Sequence, residues 1–428
     1  MKITARLASF AAAMSLGISS LFIAAPSQAA STSSIPAPSG LPSFYSVPQP
    51  LPTKAGVLIK VQKVTDQNLV GSMTGGTLYR VMYTSTGFNH SIVPVTGMVV
   101  VPTGATPSGG WPVISWGHGT NGMADVCAPS TIGANEIPEV NKLLTAGYVV
   151  TASDYQGEGT PGLLPYIVGY SAAHNTVDIV RAARQMAIPG VTISKNYVVW
   201  GHSEGGQTAM FSLYDPSYAP TLNLKGVVAG APPSQFKYIY DFLKTSPFDF
   251  YLLMAAGSYN SYYGSDLAPL DAVVTKAAQS LLPTLDQGCS GYVKNAVDQY
   301  VASTPSKKFA ALIPSNPFDN PKWSTLLTLN DPNSFATPTT IPLLIIQGAL
   351  DEQIPVVSTE LLKGTLCKIG QPVRRWVYSG QSHAGVISPS ADDMIHWIND
   401  RFTSSSARDP YVPTADGNQA ISIARETC

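Results

Sequence analysis

The chain has 428 residues, of which 12% are charged, and its formal net charge at pH 7 is −1. Charged residues are thus about half as frequent as the roughly 25% typical of globular proteins, which suits an exported protein with an apolar or hydroxyl-rich surface. The near-zero net charge argues against a nucleic-acid partner, and the length is sufficient for one elaborated domain or two.

The first 29 residues have the features of a secretory signal peptide. Lys2 and Arg6 provide a basic start, residues 7–25 are apolar and small, and Ala29 ends a small-residue cleavage site. A membrane anchor is the alternative, but serines and a glycine interrupt the run and no basic cluster follows it. No other apolar run is long enough to span a bilayer. We therefore expect a secreted or periplasmic protein without a transmembrane segment after processing.

Residues 30–54 form a lead-in that is rich in Ser and Pro and has no periodicity, so we expect it to be extended or mobile. From residue 55 the pattern changes to β-rich segments, at 56–64, 77–85 and 91–102, with glycines and polar residues between them. These segments predict an opening set of antiparallel strands.

Short apolar runs that alternate with helical segments come next. The runs at 111–117 and 147–154 are typical of strands that are covered on both faces. Residues 170–187 predict an amphipathic helix, which precedes strands at 197–200 and 224–231. This alternation indicates a mostly parallel sheet with right-handed crossovers.

The alternation stops after residue 234. Residues 235–335 contain helical pieces, many aromatic residues and prolines, and no clear buried strand. Alternation resumes with a strand in 341–351 and ends in a predicted helix at 386–402. We therefore predict an α/β domain in two parts, residues 55–234 and 336–428, with a helical cap inserted between them.

The pentapeptide at residues 201–205, GHSEG, matches the G-x-S-x-G pattern, in which a strand turns sharply into a helix. Its glycines carry no Cβ, so neighbouring backbone can approach closely. The hydroxyl of Ser203 then stands above the N-terminus of the next helix, whose dipole favours the negative charge that develops during attack. An apolar run precedes the motif and a helix-compatible run follows it. We predict Ser203 as a nucleophile; an ordinary glycine-rich turn is the alternative.

A serine hydroxyl needs a general base to become a nucleophile. Of the six histidines, His383 is the best candidate because it lies in a polar loop after the strand that ends at Tyr378. His202 adjoins the serine, but we expect its side chain to point away across the turn. The alternative for His383 is a solvated loop histidine.

The imidazole of a general base needs a carboxylate that fixes its tautomer and stabilises its cation. Asp351 lies just past a buried strand, in a loop closed by Pro355. Glu352 is the rival, and Asp351 is preferred because it is nearer the end of the strand. The chain order Ser203, Asp351, His383 is the order found in α/β-hydrolases.

An oxyanion intermediate needs fixed N–H donors. One predicted donor is the backbone N–H of Glu204, the residue after the candidate nucleophile. The second is expected from the loop after the strand that ends at Gly117, where either Thr120 or Gly119 qualifies. A carboxylate near the oxyanion would oppose its charge, so we expect the Glu204 side chain to turn away and form a hydrogen bond.

The sequence implies neither a metal nor an organic cofactor. Residues 157–162 match the dinucleotide-binding fingerprint G-x-G-x-x-G, but Pro161 lies inside the match and no helix begins there, so we predict a loop. No pair of cysteines has the C-x-x-C spacing of a zinc site. An even number of cysteines in an oxidising compartment suggests two disulfides with three possible connectivities. The cysteines that follow the signal peptide are Cys127, Cys289, Cys367 and Cys428.

At these motifs the chain resembles the secretory lipase family, the lipase A-like α/β-hydrolases of yeasts. The likeness covers roughly residues 40–428, and it is carried by SWGHGTNGMADVCAPS at 115–130, by ASDYQGEGTPG at 152–162, and by GHSEGGQ, QGALDEQIP and SHAG in that order. The resemblance implies an α/β-hydrolase fold with a helical cap over the site. It also implies a catalytic triad of Ser203, Asp351 and His383.

The same resemblance implies that Cys127 pairs with Cys289 and that Cys367 pairs with Cys428. We therefore predict a secreted serine hydrolase of carboxylic esters, acting on lipid or acyl esters through an acyl-enzyme. An acyltransferase or an exopeptidase on the same triad is one alternative, and a non-catalytic lipid-binding protein is another. The aromatic and aliphatic residues at 236–264 either line a tunnel for an acyl chain or form the core of the cap.

Overall fold

The computed structural model describes residues 33–403 and 422–428, so the predicted signal peptide lies outside the described residues. In the described residues, most strands join one ten-stranded sheet, and two short strands form a second sheet. The strands are β1 Ser34–Ile35, β2 Val47–Pro48, β3 Leu58–Lys63, β4 Gly76–Thr86, β5 Ile92–Pro102, β6 Trp111–Gly117, β7 Val149–Ser153, β8 Ile193–His202, β9 Asn223–Gly230, β10 Leu343–Gly348, β11 Val373–Tyr378 and β12 Ile423–Thr427.

The large sheet has the strand order β12-β11-β10-β9-β8-β6-β7-β5-β4-β3. Strands β6 to β11 run parallel to their neighbours in the centre of the sheet. Strands β3, β4 and β5 form an antiparallel set that joins the centre through β7, and β12 closes the other edge antiparallel to β11. The predicted mostly parallel sheet with an antiparallel opening is therefore confirmed.

Helices cover both faces of the parallel centre, which explains why β7 and β10 are buried along their whole length. The helices are α1 Gln67–Val70, α2 Pro129–Ile132, α3 Val140–Thr145, α4 Gly169–Ala183, α5 Glu204–Tyr214, α6 Phe236–Leu243, α7 Phe250–Tyr263, α8 Ser290–Ser303, α9 Pro321–Leu329, α10 Val356–Lys368 and α11 Ile387–Phe402. Ile179 of α4, Phe211 of α5 and Leu362 of α10 pack on one face of the sheet, and Leu143 of α3 and Trp397 of α11 pack on the other.

Helix α4 is the helix predicted at 170–187, but it ends at Ala183. Beyond this point the backbone N–H groups of Gln185 and Met186 bond to carbonyls three residues back, so the chain turns instead of continuing the helix. Part of the Ser- and Pro-rich lead-in is tied to the fold, because β1 pairs with β2 and the buried Tyr45 hydroxyl lies 2.8 Å from Ser130 Oγ.

Helices α6 to α9 lie between β9 and β10 in the chain, within the predicted cap insertion at 235–335. They share an apolar core of their own, which includes Leu253, Val293 and Trp323. Tyr155 and Leu164, from the segment between β7 and α4, belong to the same core and connect it to the sheet. The predicted boundaries of the cap stay a prediction.

Two disulfides are present, Cys127–Cys289 and Cys367–Cys428. This is the pairing implied by the family resemblance. The first bond joins the loop before α2 to the start of α8, across 162 residues of sequence. The second joins the end of α10 to the residue after β12, which holds that strand beside β11. Within 33–403 and 422–428, none of the helices combines the length and the apolar character needed to cross a bilayer.

Candidate active site

The candidate residues lie at the carboxyl ends of parallel strands, where ligands bind in open α/β sheets. Ser203 follows β8, the loop of Gly119 and Thr120 follows β6, Asp351 follows β10, and His383 follows β11. Because β6 is beside β8 and β10 is beside β11 in the sheet, the strand order brings the loops of neighbouring strands together.

Ser203 occupies the sharp corner between β8 and α5. Its backbone has φ 59° and ψ −123°, a conformation that non-glycine residues rarely adopt and that persists only where the surroundings enforce it. Its N–H donates to the carbonyl of Gly230 on β9 at 2.9 Å. The glycines are required by close backbone contacts: a Cβ on Gly205 would lie 1.9 Å from the carbonyl oxygen of Gly117, and a Cβ on Gly201 would lie 2.0 Å from that of Gly205.

His383 and Asp351 form a buried pair beneath this corner. The imidazole Nδ1 lies 2.8 Å from Asp351 Oδ2 and 3.0 Å from Oδ1. The carboxylate accepts further bonds from the N–H groups of Gln353 and Ile354 and from the amide of Gln347, at 2.7 to 2.9 Å. These bonds fix the orientation of the carboxylate, and a carboxylate on Nδ1 leaves Nε2 as the nitrogen that can accept a proton.

Glu352, the rival acid, contacts the backbone of His383 and not its ring. Its Oε2 accepts a hydrogen bond from the His383 N–H at 3.0 Å. Partial burial opposes ionisation of this carboxyl, but the hydrogen bond from His383 helps to make the net shift of the Glu352 pKa downward. Of the two acids, Asp351 is therefore the one placed to orient the imidazole.

Ser203 and His383 line the same pocket, but the structure does not join them by a hydrogen bond. Within the described part of the chain, the ring of His383 bonds to Asp351 alone. Such bonds in substrate-free enzymes often tighten only in the complex with substrate. The structure thus brings the three candidate residues to one site and connects two of them directly.

The ring of His202 packs against the ring of His383, with centroids 4.6 Å apart. Sequence reasoning placed this side chain away from the serine and missed the contact. Burial, together with the neighbouring His383, lowers the pKa of His202 to about 3, so its imidazole is neutral at physiological pH. A neutral ring beside the candidate base packs against it without adding a second positive charge.

The loop after β6 lies directly against the corner. A Cβ on Gly119 would be 3.5 Å from Ser203 Cβ, so this backbone is within reach of an oxyanion that forms on the serine. The Thr120 hydroxyl donates to Glu204 Oε2 at 3.2 Å and lies 3.1 Å from the Tyr166 hydroxyl. Both candidate donors in this loop are therefore adjacent to the site.

Buried acids surround this loop, and sequence reasoning found only one of them. Glu204 is 2% exposed, and burial raises its pKa to about 8. Glu158 is fully buried with Oε2 3.5 Å from His118 Nε2, but burial raises the pKa of Glu158 and lowers that of His118 to about 4. We therefore treat this close pair as uncharged. The available signal was a pair of acidic residues, Asp154 and Glu158, in the segment after the buried strand β7.

Two pockets meet at Ser203. The first, about 920 Å³ with its open mouth, runs from Ser203 into helices α6, α7 and α9. Its walls are almost entirely apolar and include Phe236, Leu243, Leu252, Tyr259, Trp323 and Leu327. The second, about 750 Å³ with its mouth, opens on the His383 side and is more polar than the first, with walls that combine apolar residues with Asn121, Glu136 and Gln353. Within the described residues, no group of His, Cys, Asp and Glu has the arrangement of a metal site.

The fold and the strand-end site define an α/β-hydrolase. Among solved structures, lipase A of Candida antarctica has a TM-score of 0.67 and 19% identity, over 83% of this chain and 84% of that one. The rice cell wall degrading esterase LipA from Xanthomonas oryzae has a TM-score of 0.64 and 17% identity, over 82% of this chain and 99% of that one. The predicted fold class is confirmed.

Within this class, the chain belongs to the secretory lipase family, whose model matches residues 128–409. A relative, the secreted triacylglycerol lipase LIP2 of Malassezia globosa, is 26% identical over 374 residues, which are 82% of this chain and 78% of that protein. The predicted family and the prediction of a secreted carboxylic ester hydrolase are therefore confirmed.

Proposed function

We propose that the protein hydrolyses carboxylic esters of long acyl chains, with Ser203 as nucleophile, His383 as general base and Asp351 as the acid that orients it. The observation that carries this proposal is the apolar pocket that opens at Ser203. A pocket of this kind is suited to hydrocarbon, and each buried CH₂ group contributes about 0.8 kcal/mol to binding.

The proposed reaction is acylation of the serine followed by hydrolysis of the acyl-enzyme. Ser203 Oγ attacks the ester carbonyl carbon while its proton passes to His383 Nε2, and Asp351 stabilises the imidazolium through Nδ1–H. The negative charge on the carbonyl oxygen is held by the N–H of Glu204 and by that of Gly119 or Thr120. His383 then gives its proton to the leaving alkoxide, which departs as the alcohol and leaves an acyl-serine. Water repeats the cycle and releases the fatty acid.

The two pockets support an arrangement of the two halves of the ester. The acyl chain enters the apolar pocket among α6, α7 and α9. The alcohol faces the polar pocket on the His383 side, where the general acid must deliver its proton. Since Tyr251 and Gln353 line both pockets beside Ser203, these residues mark the boundary between the two halves of the substrate.

The catalytic part of the proposal is tested with p-nitrophenyl esters. Ser203→Ala and His383→Ala are expected to lower kcat by roughly 10⁴ to 10⁶, as in comparable triads. Ser217→Ala, at an exposed serine in the loop after α5, is the matched control and is expected to retain the parent activity. A fluorophosphonate should label the parent at Ser203. A Ser203→Ala enzyme within tenfold of the parent would refute the assignment, and an unlabelled, inactive parent would indicate a lipid-binding protein.

The acyl pocket is tested separately with esters from acetate to palmitate and with a triglyceride emulsion. Ala256 lines the pocket on α7, and Ala256→Phe is expected to lower kcat/KM for the palmitate ester more than tenfold while the butyrate ester is little affected. Ala302→Phe, at an exposed position on α8, is the control. Equal losses on both esters would show that the acyl chain does not occupy this pocket.

A further inference from the structure

The side chain of Glu204 lies beside the candidate nucleophile and contacts the loop after β6 that holds Gly119 and Thr120 (the oxyanion loop). The proposed mechanism uses only the backbone N–H of Glu204. Glu204 is the first residue of α5 and is almost fully buried. Its Oε2 accepts a hydrogen bond from Thr120 Oγ1 at 3.2 Å, and the backbone N–H of Ile167 also approaches the buried carboxyl. The carboxyl therefore contacts the loop that carries a candidate oxyanion donor.

The groups that face this carboxyl offer it no counter-charge. Three tyrosines approach it, Tyr155 after β7, Tyr166 before α4 and Tyr251 on α7, and Glu158 adds a like charge whenever both acids ionise. His118, next to the same loop, is neutral because burial lowers its pKa to about 4. The N-terminus of α5 favours an anion at this position, but loss of water from a buried carboxylate is the larger effect.

We propose that the neutral carboxyl of Glu204 is a positioning group that anchors Thr120 in the oxyanion loop, and that its ionisation at alkaline pH inhibits ester hydrolysis. The inference rests on the proposed function of Ser203. A neutral acid both accepts from Thr120 and carries a proton on its other oxygen, so it supports the loop without placing a charge there. A carboxylate would still accept from Thr120 but would repel the charge that develops on the carbonyl oxygen.

The sign of the pH effect follows from the direction of the pKa shift. Burial raises the pKa of Glu204 to about 8, and the hydrogen bonds from Thr120 and from the backbone of Ile167 oppose this rise in part. The carboxyl is therefore neutral at pH 7 and ionises as the pH rises through 8. We expect kcat of the parent to fall at least tenfold between pH 7 and pH 9.5 as the carboxylate forms.

The test is the pH profile of kcat on p-nitrophenyl butyrate, corrected for spontaneous hydrolysis, for the parent and two variants. Glu204→Gln keeps the shape and cannot ionise, so its kcat at pH 7 is expected within about tenfold of the parent, with no fall up to pH 9.5. Thr120→Val removes the hydroxyl and keeps the backbone N–H. It is expected to lower kcat and to move the alkaline fall to higher pH, because the lost bond had lowered the pKa of Glu204.

Glu360→Gln makes the same chemical change at an exposed position on α10, and its profile should follow that of the parent. The inference is overturned if the parent shows no alkaline fall, or if Glu204→Gln shows the same fall as the parent. If Glu204→Gln does not fold, the pH at which kcat of Thr120→Val falls is compared with that of the parent. A fall at the same pH or at a lower pH than in the parent overturns the inference. Failure of the proposed function is a different result, namely a Ser203→Ala enzyme that still hydrolyses the ester.

Discussion

Replacement of Glu204 by Gln is expected to stabilise the fold at neutral pH, by an amount that grows as the pH rises. The ordinary pKa of a glutamate is 4.5, and burial raises that of Glu204 to about 8. Between these values the folded protein retains a proton that the unfolded chain releases, so rising pH favours unfolding. The contribution of the protonated Glu204 carboxyl to the free energy of unfolding is therefore complete below pH 4.5 and is lost as the pH rises through 8.

The size of this effect follows from about 1.36 kcal/mol for each pKa unit. Relative to Glu204→Gln, whose amide does not titrate, the parent should lose about 3 kcal/mol by pH 7 and about 5 kcal/mol in total. For a folded chain of about 400 residues, each pH unit between the two pKa values changes the Tm difference between parent and variant by about 1.6 °C.

Calorimetric melting of the parent, Glu204→Gln and the exposed control Glu360→Gln from pH 5 to pH 9 measures this difference. The Tm of Glu204→Gln minus that of the parent should widen by about 1.6 °C per pH unit up to pH 7.5 and level off above pH 8. The corresponding difference for Glu360→Gln should stay constant, since Glu360 is exposed. Tm values of Glu204→Gln and the parent that change in parallel with pH would mean that Glu204 ionises normally in the folded protein, and would refute the prediction.

The further predictions concern the proposed acid, Asp351, and the glycines of the corner and of α10. Asp351→Asn should lower kcat by about 10⁴, because the imidazole of His383 loses the carboxylate that orients it. Glu352→Gln should lower kcat less than tenfold, because Glu352 bonds only the backbone of His383. Similar losses in steady-state kcat for the two variants would contradict the choice of Asp351 over Glu352. Gly205→Ala should abolish soluble expression or destabilise the fold by more than about 4 kcal/mol, because its Cβ would meet the carbonyl of Gly117. Gly364→Ala, with open space on α10, should instead stabilise by about 0.5 to 1 kcal/mol in denaturant unfolding.

The parts of the site that follow local rules could be predicted from the sequence. Ser203 could be proposed as a nucleophile because its corner needs glycines on both sides, and the contacts of Gly201 and Gly205 show why. Asp351 and His383 could be chosen because strand ends of a parallel sheet meet at one edge and the chain order is restricted. The conformation of Ser203 is constrained by residues in its own turn, and the positions of Asp351 and His383 are constrained by the order of the strands in the sheet.

The contacts that were missed depend on packing between distant segments. The contact between the neutral His202 ring and the His383 ring depends on the side-chain conformations of two loop residues. The sequence shows only that both residues lie near the ends of strands. Likewise, the Glu204 side chain was expected to turn away and form a hydrogen bond; the bond is present, from Thr120, but the burial that neutralises the carboxyl was not foreseen. Whether a carboxyl is charged depends on its surroundings, and those surroundings exist only after folding.

The loop that carries the proposed second oxyanion donor is also the place where the cap segment is fastened to the sheet. Its Gly122 forms a β-bridge with Cys289, its Asn121 carbonyl accepts from the N–H of Ser290 at 2.8 Å, and the disulfide of Cys127 closes the same junction. An oxyanion donor is effective only if it is already in place when charge develops. Helix α8 shares an apolar core with α7 and α9, which line the proposed acyl pocket, so the attachment of α8 to this loop couples the positions of the pocket and of the proposed donor. The hydrogen bond from Thr120 to Glu204 is a further contact of the same loop.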